Sequence, residues 1–376
     1  MRRACKSHTL GKAKRAYHEA RLDLNASRER VKFFSMPPLP QLLPLIHLTR
    51  IALALAVVSN CWLTVFLAIY IEPESGRTAV LSEMPLLMAL LWTAIVALGL
   101  HIYGVALNDV LDARHDRLFS PQRPIPAGHL RRSSAVIIAI VGLLIAMVTG
   151  ALLGHEALLL TALAAAGLLF FNATGKYLPA AGILALALIR MMTMLIPNSH
   201  MGFAWPLWMT MTHVAAATAL AHLLEEKRPT LDRREILRLA VGWALGTAAI
   251  IAFMAWRGTI LAYGRPFIWI GPAIAGAIFT GISAFFVIHT RKRQSITPID
   301  HESQRRAARA YTRLAILWLI VYDAAWLFSA GLVMPGMLHL GLFGSVYFIL
   351  YLTGPLRRMI GPTLRYRLYI EPETRD

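Results

Sequence analysis

Two features are scarce in this chain, and each scarcity excludes something. Only two cysteines occur in 376 residues, Cys5 and Cys61, too few and too differently placed for a disulfide framework. Charged residues make up only 15% of the chain, against 57% hydrophobic, and the mean hydropathy is +0.56. A water-soluble protein of this length has no use for so much apolar surface, so the composition indicates a polytopic membrane protein. Residues 1–36 are basic and polar, with no apolar core ahead of a cleavage site, so they do not read as a secretory signal. No segment outside the apolar runs is long enough for a second globular domain.

A bilayer core of about 30 Å needs about 20 apolar residues per helical span. Runs that meet or approach this length occur at Leu42–Tyr70, Leu86–Leu107, Ser134–Leu153, Ala157–Phe171, Ala180–Ile196, Phe203–Leu224, Ile236–Trp256, Phe267–Ile288, Ala310–Leu332 and Met337–Leu356. The fourth is short and the last is softened by glycines. The expected organisation is an all-α, polytopic membrane helical bundle of nine to ten transmembrane helices (residues 41–356). A basic tail lies on either side, residues 1–40 and 357–376.

The formal charge of +18 invites a nucleic-acid reading, which its placement excludes. Of the 38 Lys and Arg residues, only Arg77, Arg257 and Arg265 fall in loops on one side, and Arg190 lies within a span. The rest fall on the opposite side or at helix ends facing it. This is the positive-inside asymmetry, and it puts both termini and the loops after Asn108, Lys227 and Arg291 in the cytoplasm. The basic surplus therefore reflects topology, with membrane lipid as the anionic partner.

Charge also gathers where the second span ends, in "NDVLDARHDRLFSPQRPIPAG", Asn108–Gly128. Asp109, Asp112 and Asp116 stand at i, i+3 and i+7, one face of a helix if the span continues past the membrane surface. Three convergent carboxylates repel one another unless a cation lies between them. Mg²⁺ accepts carboxylate oxygens while keeping waters and phosphate ligands, so a metal-bound diphosphate is the natural occupant. Asn108 adds an amide oxygen, and Arg114, Arg117 and Arg123 can neutralise phosphate. The alternative is a solvated helix cap at the membrane exit.

With its spacing complete, "NDVLDARHDRLFSPQRPIPAGHL" resembles the first aspartate-rich signature of the UbiA family of intramembrane prenyltransferases, N-D-x-x-D-x-x-x-D followed by an R-P-[IL]-x-x-G turn. The likeness continues in "FFNATGKYLPAAGILALALIR", which supplies the family's aromatic–Asn–x–x–G–K–x–x–P run and a following intrahelical Arg as Phe171, Asn172, Lys176, Pro179 and Arg190. Lys176 read alone is equally an interfacial lysine with its stem along the bilayer. An arginine deep in an apolar span must pair with an anion, either a diphosphate or a carboxylate.

The chain departs from the family where a second D-x-x-x-D is usual. It has "HLLEEKRP", with His222 in place of the first aspartate, Glu226 at i+4 and Glu225 at i+3. The resemblance makes Glu225 or Glu226 a metal ligand, and an ordinary charged helix exit is the other reading. Arg50 and Asn60 resemble family residues that face the substrate chamber, and for Asn60 a helix–helix hydrogen bond is the equal alternative. Asp323 sits deep in an apolar run, where a carboxyl group needs a partner.

The resemblance implies a Mg²⁺-dependent prenyltransferase with a central chamber open to the cytoplasm. An isoprenyl diphosphate would be held by Asn108, Asp109, Asp112 and Asp116 through the metal, and by Arg123, Lys176 and Arg190 directly. The acceptor would be lipophilic, most commonly an aromatic ring. A polytopic transporter of an anionic solute is the competing class, but it leaves unexplained why the acidic groups sit at cytoplasmic helix ends. A CDP-alcohol type of phosphotransferase requires a D-G-x-x-A-R core, which is absent.

The topology has a direct test. In a variant lacking Cys5 and Cys61, a cysteine at Ser75 is expected to react with an impermeant maleimide only from the non-cytoplasmic side, and one at Thr230 only from the cytoplasmic side. Labelling of both from one side overturns the arrangement.

Overall fold

The structure, a computed structural model, describes residues 43–368 except 122, 129, 228, 262–264 and 297–300. The chain divides into two compact units between His47 and Leu48, and the second is the subject here. The expected basic tail of residues 1–40 lies outside the described residues. Ten long helices carry the described chain and no strand occurs in it: α1 Leu43–Tyr70, α2 Leu86–Phe119, α3 Arg132–Leu152, α4 His155–Ala173, α5 Pro179–Leu195, α6 Trp205–Glu225, α7 Arg233–Arg257, α8 Ile270–Ile296, α9 His301–Ser329 and α10 Val333–Leu368.

Each helix falls on one of the ten apolar runs, and nine are long and apolar enough to cross a membrane. The short member is not the fourth run, which lengthens to 19 residues as α4. It is α5, at 17 residues, or about 26 Å at roughly 1.5 Å per residue. The last helix does not end where a tail was expected at residue 357 but continues to Leu368.

Helix α1 is the most enclosed, with 72% of its apolar window buried, whereas that of α7 is 0% buried. Its polar side chains explain its place. In hydrocarbon no water completes their hydrogen bonds, so neighbouring helices must. Thr64 Oγ1 donates to the Met194 carbonyl at 2.8 Å and Trp62 Nε1 to the Leu90 carbonyl at 2.8 Å, tying α1 to α5 and α2. Asp323 of α9 accepts from Ser59 Oγ at 2.5 Å and from Asn60 Nδ2 at 2.9 Å. His339 of α10 reaches the Ser59 carbonyl at 3.2 Å.

Helices α2 and α3 cross where both carry glycine. A methyl group on Gly99 would stand 2.9 Å from the Gly142 carbonyl oxygen, so close backbone contact replaces side-chain packing there.

At the opposite end from the charged loops, Arg77 binds the carbonyls of Ala68 and Ile69 at 2.7 and 2.8 Å, which are the free acceptors at the end of α1. Asn198 joins two loops there, accepting from Thr78 N at 3.1 Å and donating to the Gly76 carbonyl at 2.8 Å.

One local arrangement bears on the site. Helix α5 starts at Pro179, where a missing N–H costs nothing. The amide of Ala180 donates to Glu235 Oε2 of α7 at 3.1 Å, which satisfies one of the unpaired N–H groups of the first turn. The one-turn 3₁₀ helix Gly175–Tyr177 just before it carries Lys176 and rests on Gly182, where a methyl group would fall 2.8 Å from the Gly175 carbonyl carbon. Gly182→Ala is therefore expected to destabilise the protein by about 1–3 kcal/mol through overpacking. The measurement is the thermal unfolding midpoint in detergent. Gly281→Ala, where nothing lies within 4 Å, is the control and should not lower the midpoint. Equal midpoints for the two variants would refute the packing constraint.

Candidate active site

Helix α2 is 34 residues long, about 51 Å at 1.5 Å per residue. It therefore outruns the hydrocarbon, and its last turns project with the aspartates on them. Beyond Phe119 the chain reverses through hydrogen bonds from Ala127 N to the Arg123 carbonyl at 2.9 Å and from Leu130 N to the Pro124 carbonyl at 3.1 Å. Gly128 takes φ +76° in this turn, a left-handed conformation that a β-carbon disfavours. The reversal brings Arg123 back to α2, where Nη1 stands 2.8 Å from Asp116 Oδ2 and 3.8 Å from Asp112 Oδ2. From the other side Lys176 forms an ion pair with Asp112 Oδ1. Asp116 is nearly buried and Asp112 partly so, at 4% and 16% side-chain exposure, so these pairs are only partly screened by water.

The sequence anticipated three convergent carboxylates, and the structure differs. Asp112 and Asp116 share Arg123, and Asp109 is buried on the same helix. Among the described residues no group of three or more His, Cys, Asp and Glu is placed to hold a metal ion. The reason is local: i, i+3 and i+7 mark a stripe along a helix, and opposite charges from two loops draw two of its members together. Asn108 lies half-buried on α2. Asn172 Nδ2 donates to the Leu168 carbonyl at 2.9 Å and to the Gly104 carbonyl at 3.4 Å, fastening α4 to α2.

A cavity of about 400 Å³ opens among α1, α2, α4, α5, α6 and α9. On α2 it is lined by His101, Gly104 and Val105, and Asn108 and Asp112 continue that face on the next two turns. Leucines and Phe171 make much of the wall, with Arg190, His213, His222 and Lys227 among its polar residues. Among the described residues no Asp or Glu lines it.

Arg190 lines the cavity from α5; no hydrogen bond from a described residue reaches it, and the Asp323 carboxylate of α9 acts on it electrostatically. His213, which the sequence reading passed over, lies 6% exposed in the cavity wall. Its Nε2 donates to the Ala315 carbonyl at 2.8 Å, and its ring packs on Phe279 and Tyr322 at centroid distances of 4.4 and 5.1 Å. The available signal was an ionisable side chain inside an apolar run, which usually marks a function.

The second acidic stretch is arranged differently from a helical i, i+4 pair. Helix α6 stops at Glu225 because Glu226 adopts a left-handed φ of 51°. Glu225 then pairs with Lys227 at 3.1 Å, and Glu226 accepts from Gln304 Nε2 of α9 at 3.3 Å. His222 Nε2 donates to the Pro229 carbonyl at 3.0 Å. His222 and Lys227 line the cavity and the two glutamates do not. Asn60 is 1% exposed and joined to Asp323, away from the cavity lining. Arg50 lies on α1, and its side chain falls outside the described residues.

Comparison with known proteins gives the site its setting. Residues 62–299 match the UbiA prenyltransferase family, and that stretch contains both charged helix ends and Lys176, Arg190 and His213. A digeranylgeranylglyceryl phosphate synthase from Methanoregula boonei is 29% identical over 215 residues, covering 50% of this chain and 74% of its own. Two solved structures are similar at lower levels. One, of digeranylgeranylglyceryl phosphate synthase, has a TM-score of 0.47 and 14% identity, covering 76% of this chain and 98% of its own. The other, a UbiA homologue from Aeropyrum pernix K1, has a TM-score of 0.40 and 17% identity, covering 79% and 97%. The family match, which spans well over half of the chain, decides between the enzyme and the transporter. The chain belongs to the UbiA prenyltransferase family and is a multi-pass membrane prenyltransferase.

Proposed function

We propose that this enzyme transfers an isoprenyl group from a polyprenyl diphosphate to an aromatic acceptor, in a Mg²⁺-dependent reaction entered from the cytoplasmic face. The observation that carries the proposal is the grouping of Asp112, Asp116, Arg123 and Lys176 at the mouth of a cavity that, among the described residues, no carboxylate lines. Acid and base at the mouth suit a diphosphate with its metal, and the apolar wall suits a prenyl chain.

The donor set fits Mg²⁺. Two carboxylates one helical turn apart are hard oxygen ligands, and this ion commonly takes one or two carboxylates with waters and phosphate oxygens completing its shell. Asp112 and Asp116 would hold it, with Asn108 and Asp109 beside them and Glu225 or Glu226 from the end of α6. Bound there, Mg²⁺ would neutralise charge on the departing diphosphate. Lys176 and Arg123 would add fixed positive charge where the leaving group gathers negative charge as the C1–O bond breaks. The leucines and Phe171 of the wall would keep water from the allylic cation. Arg190 would meet the anionic charge of a bound substrate.

A glyceryl phosphate acceptor is the second reading. The Methanoregula boonei relative's name specifies a glyceryl phosphate product, and Arg190 in the cavity wall would also suit a phosphate.

Purified protein given a polyprenyl diphosphate and an aromatic acid is expected to release diphosphate only with Mg²⁺. Asp112→Asn should lower that rate by at least about 100-fold, the scale of losing one pre-placed electrostatic group. Metal-independent release, or full turnover in Asp112→Asn, would overturn the proposal.

A further inference from the structure

His213 has no part in the diphosphate site, yet it stands in the wall of the same cavity. A carbonyl oxygen only accepts, so the 2.8 Å contact with Ala315 places the ring proton on Nε2. Nδ1 is then the bare, proton-accepting nitrogen. No hydrogen bond from a described residue reaches it. Phe279 and Tyr322 pack against the ring and hold its plane. An imidazole with a fixed tautomer and a free lone pair, inside a membrane bundle and beside a cavity, is placed as a base rather than as packing.

Depth decides what it can act on. Arg190, which shares the cavity wall with His213, stands eleven residues beyond Pro179 on α5, about 16 Å along the axis at 1.5 Å per residue. On α6, His213 lies nine residues below His222, about 13.5 Å by the same rise. By that rise both residues are rooted deeper in the bundle than Lys176 and the end of α6, so they face what lies beneath a diphosphate held at the mouth. An alcohol must bring its oxygen to C1, directly under the diphosphate. A phenol reacts at a ring carbon, so its hydroxyl can lie a ring's breadth away, towards His213 and Arg190.

We infer that His213 is the base that deprotonates a phenolic acceptor, with Arg190 facing the resulting oxyanion. The inference rests on the prenyl-transfer reading above and narrows its acceptor to a phenol. The O–H bond breaks and its proton passes to Nδ1, leaving the electron pair on oxygen. The C1–O bond of the donor breaks with its electron pair on diphosphate, and the phenolate ring carbon forms the new bond to C1. The resulting dienone loses its ring proton to diphosphate, and the imidazolium returns its proton to the oxygen. The net change is one ring C–H replaced by C–C, with protonated diphosphate released.

The test compares His213→Gln with the unaltered protein in Mg²⁺ and a polyprenyl diphosphate, using two phenols: one neutral at pH 7, and one carrying electron-withdrawing groups so that it is already ionised. With the neutral phenol, kcat should fall by about 100-fold or more, the usual worth of a general base, while KM for the donor stays unchanged. With the ionised phenol the variant should approach the unaltered rate, and added imidazole should restore His213→Ala on the neutral phenol. A merely structural histidine predicts equal losses on both phenols and no rescue, and either result overturns the assignment. If the unaltered protein prenylates a glyceryl phosphate and neither phenol, the acceptor assignment fails while prenyl transfer stands. If it releases no diphosphate with any acceptor, the reading beneath it fails as well.

Discussion

The absence of water inside a bilayer governs this molecule. Each polar side chain on a spanning helix must find its partner within the protein, on its own helix or on another, and the bonds between helices set the arrangement. Helix α1 is central because Ser59, Asn60, Trp62 and Thr64 require α2, α5 and α9 around them. Where glycine leaves no side chain, as at Gly99 and Gly142, the backbones of α2 and α3 close on each other instead. The same constraint gives the exceptions their meaning. Arg190 and His213 stand in the cavity wall, and no described residue donates a hydrogen bond to the Nδ1 of His213, so a substrate's polar groups would meet them there.

Around that frame the chemistry is divided by depth. At the mouth, where helices leave the hydrocarbon, water and loops allow charges to cluster: Asp112 and Asp116 draw Arg123 and Lys176 from two separate loops. Below it the wall is apolar, with basic groups set singly. This separation suits a reaction that forms a cation beneath its own leaving group and must keep water away from it. Rigidity at the mouth comes from neighbouring elements. Gly182 lets the Lys176 turn settle on α5, and Glu235 of α7 satisfies the start of that helix.

Much of this was legible in the residue order. Ten apolar runs became ten helices, because a spanning helix satisfies its own backbone and advertises itself by length alone. The aspartate stripe and the "RPIPAG" turn were readable because each is local: the stripe depends on one helix, and the turn on a glycine at φ +76°. Less was legible wherever two segments meet. The stripe predicted three carboxylates together, while the fold draws two of them to one arginine. "HLLEEKRP" suggested a helical pair, and the helix ends one residue too early for it.

The sequence by itself determined the membrane-spanning class, a bundle of nine to ten helices, the orientation bias of charge and the acid-rich mouth, since hydropathy, charge and helical period act over neighbouring residues. Only the tertiary structure decided which cations meet which carboxylates, and that Asn60 serves Asp323 rather than the cavity. It also decided that a histidine within the sixth apolar run has its proton fixed on one nitrogen by Ala315, 102 residues away. Those are facts about side chains from different helices, and in a bundle their meeting depends on how the helices pack, which no stretch of a single helix records.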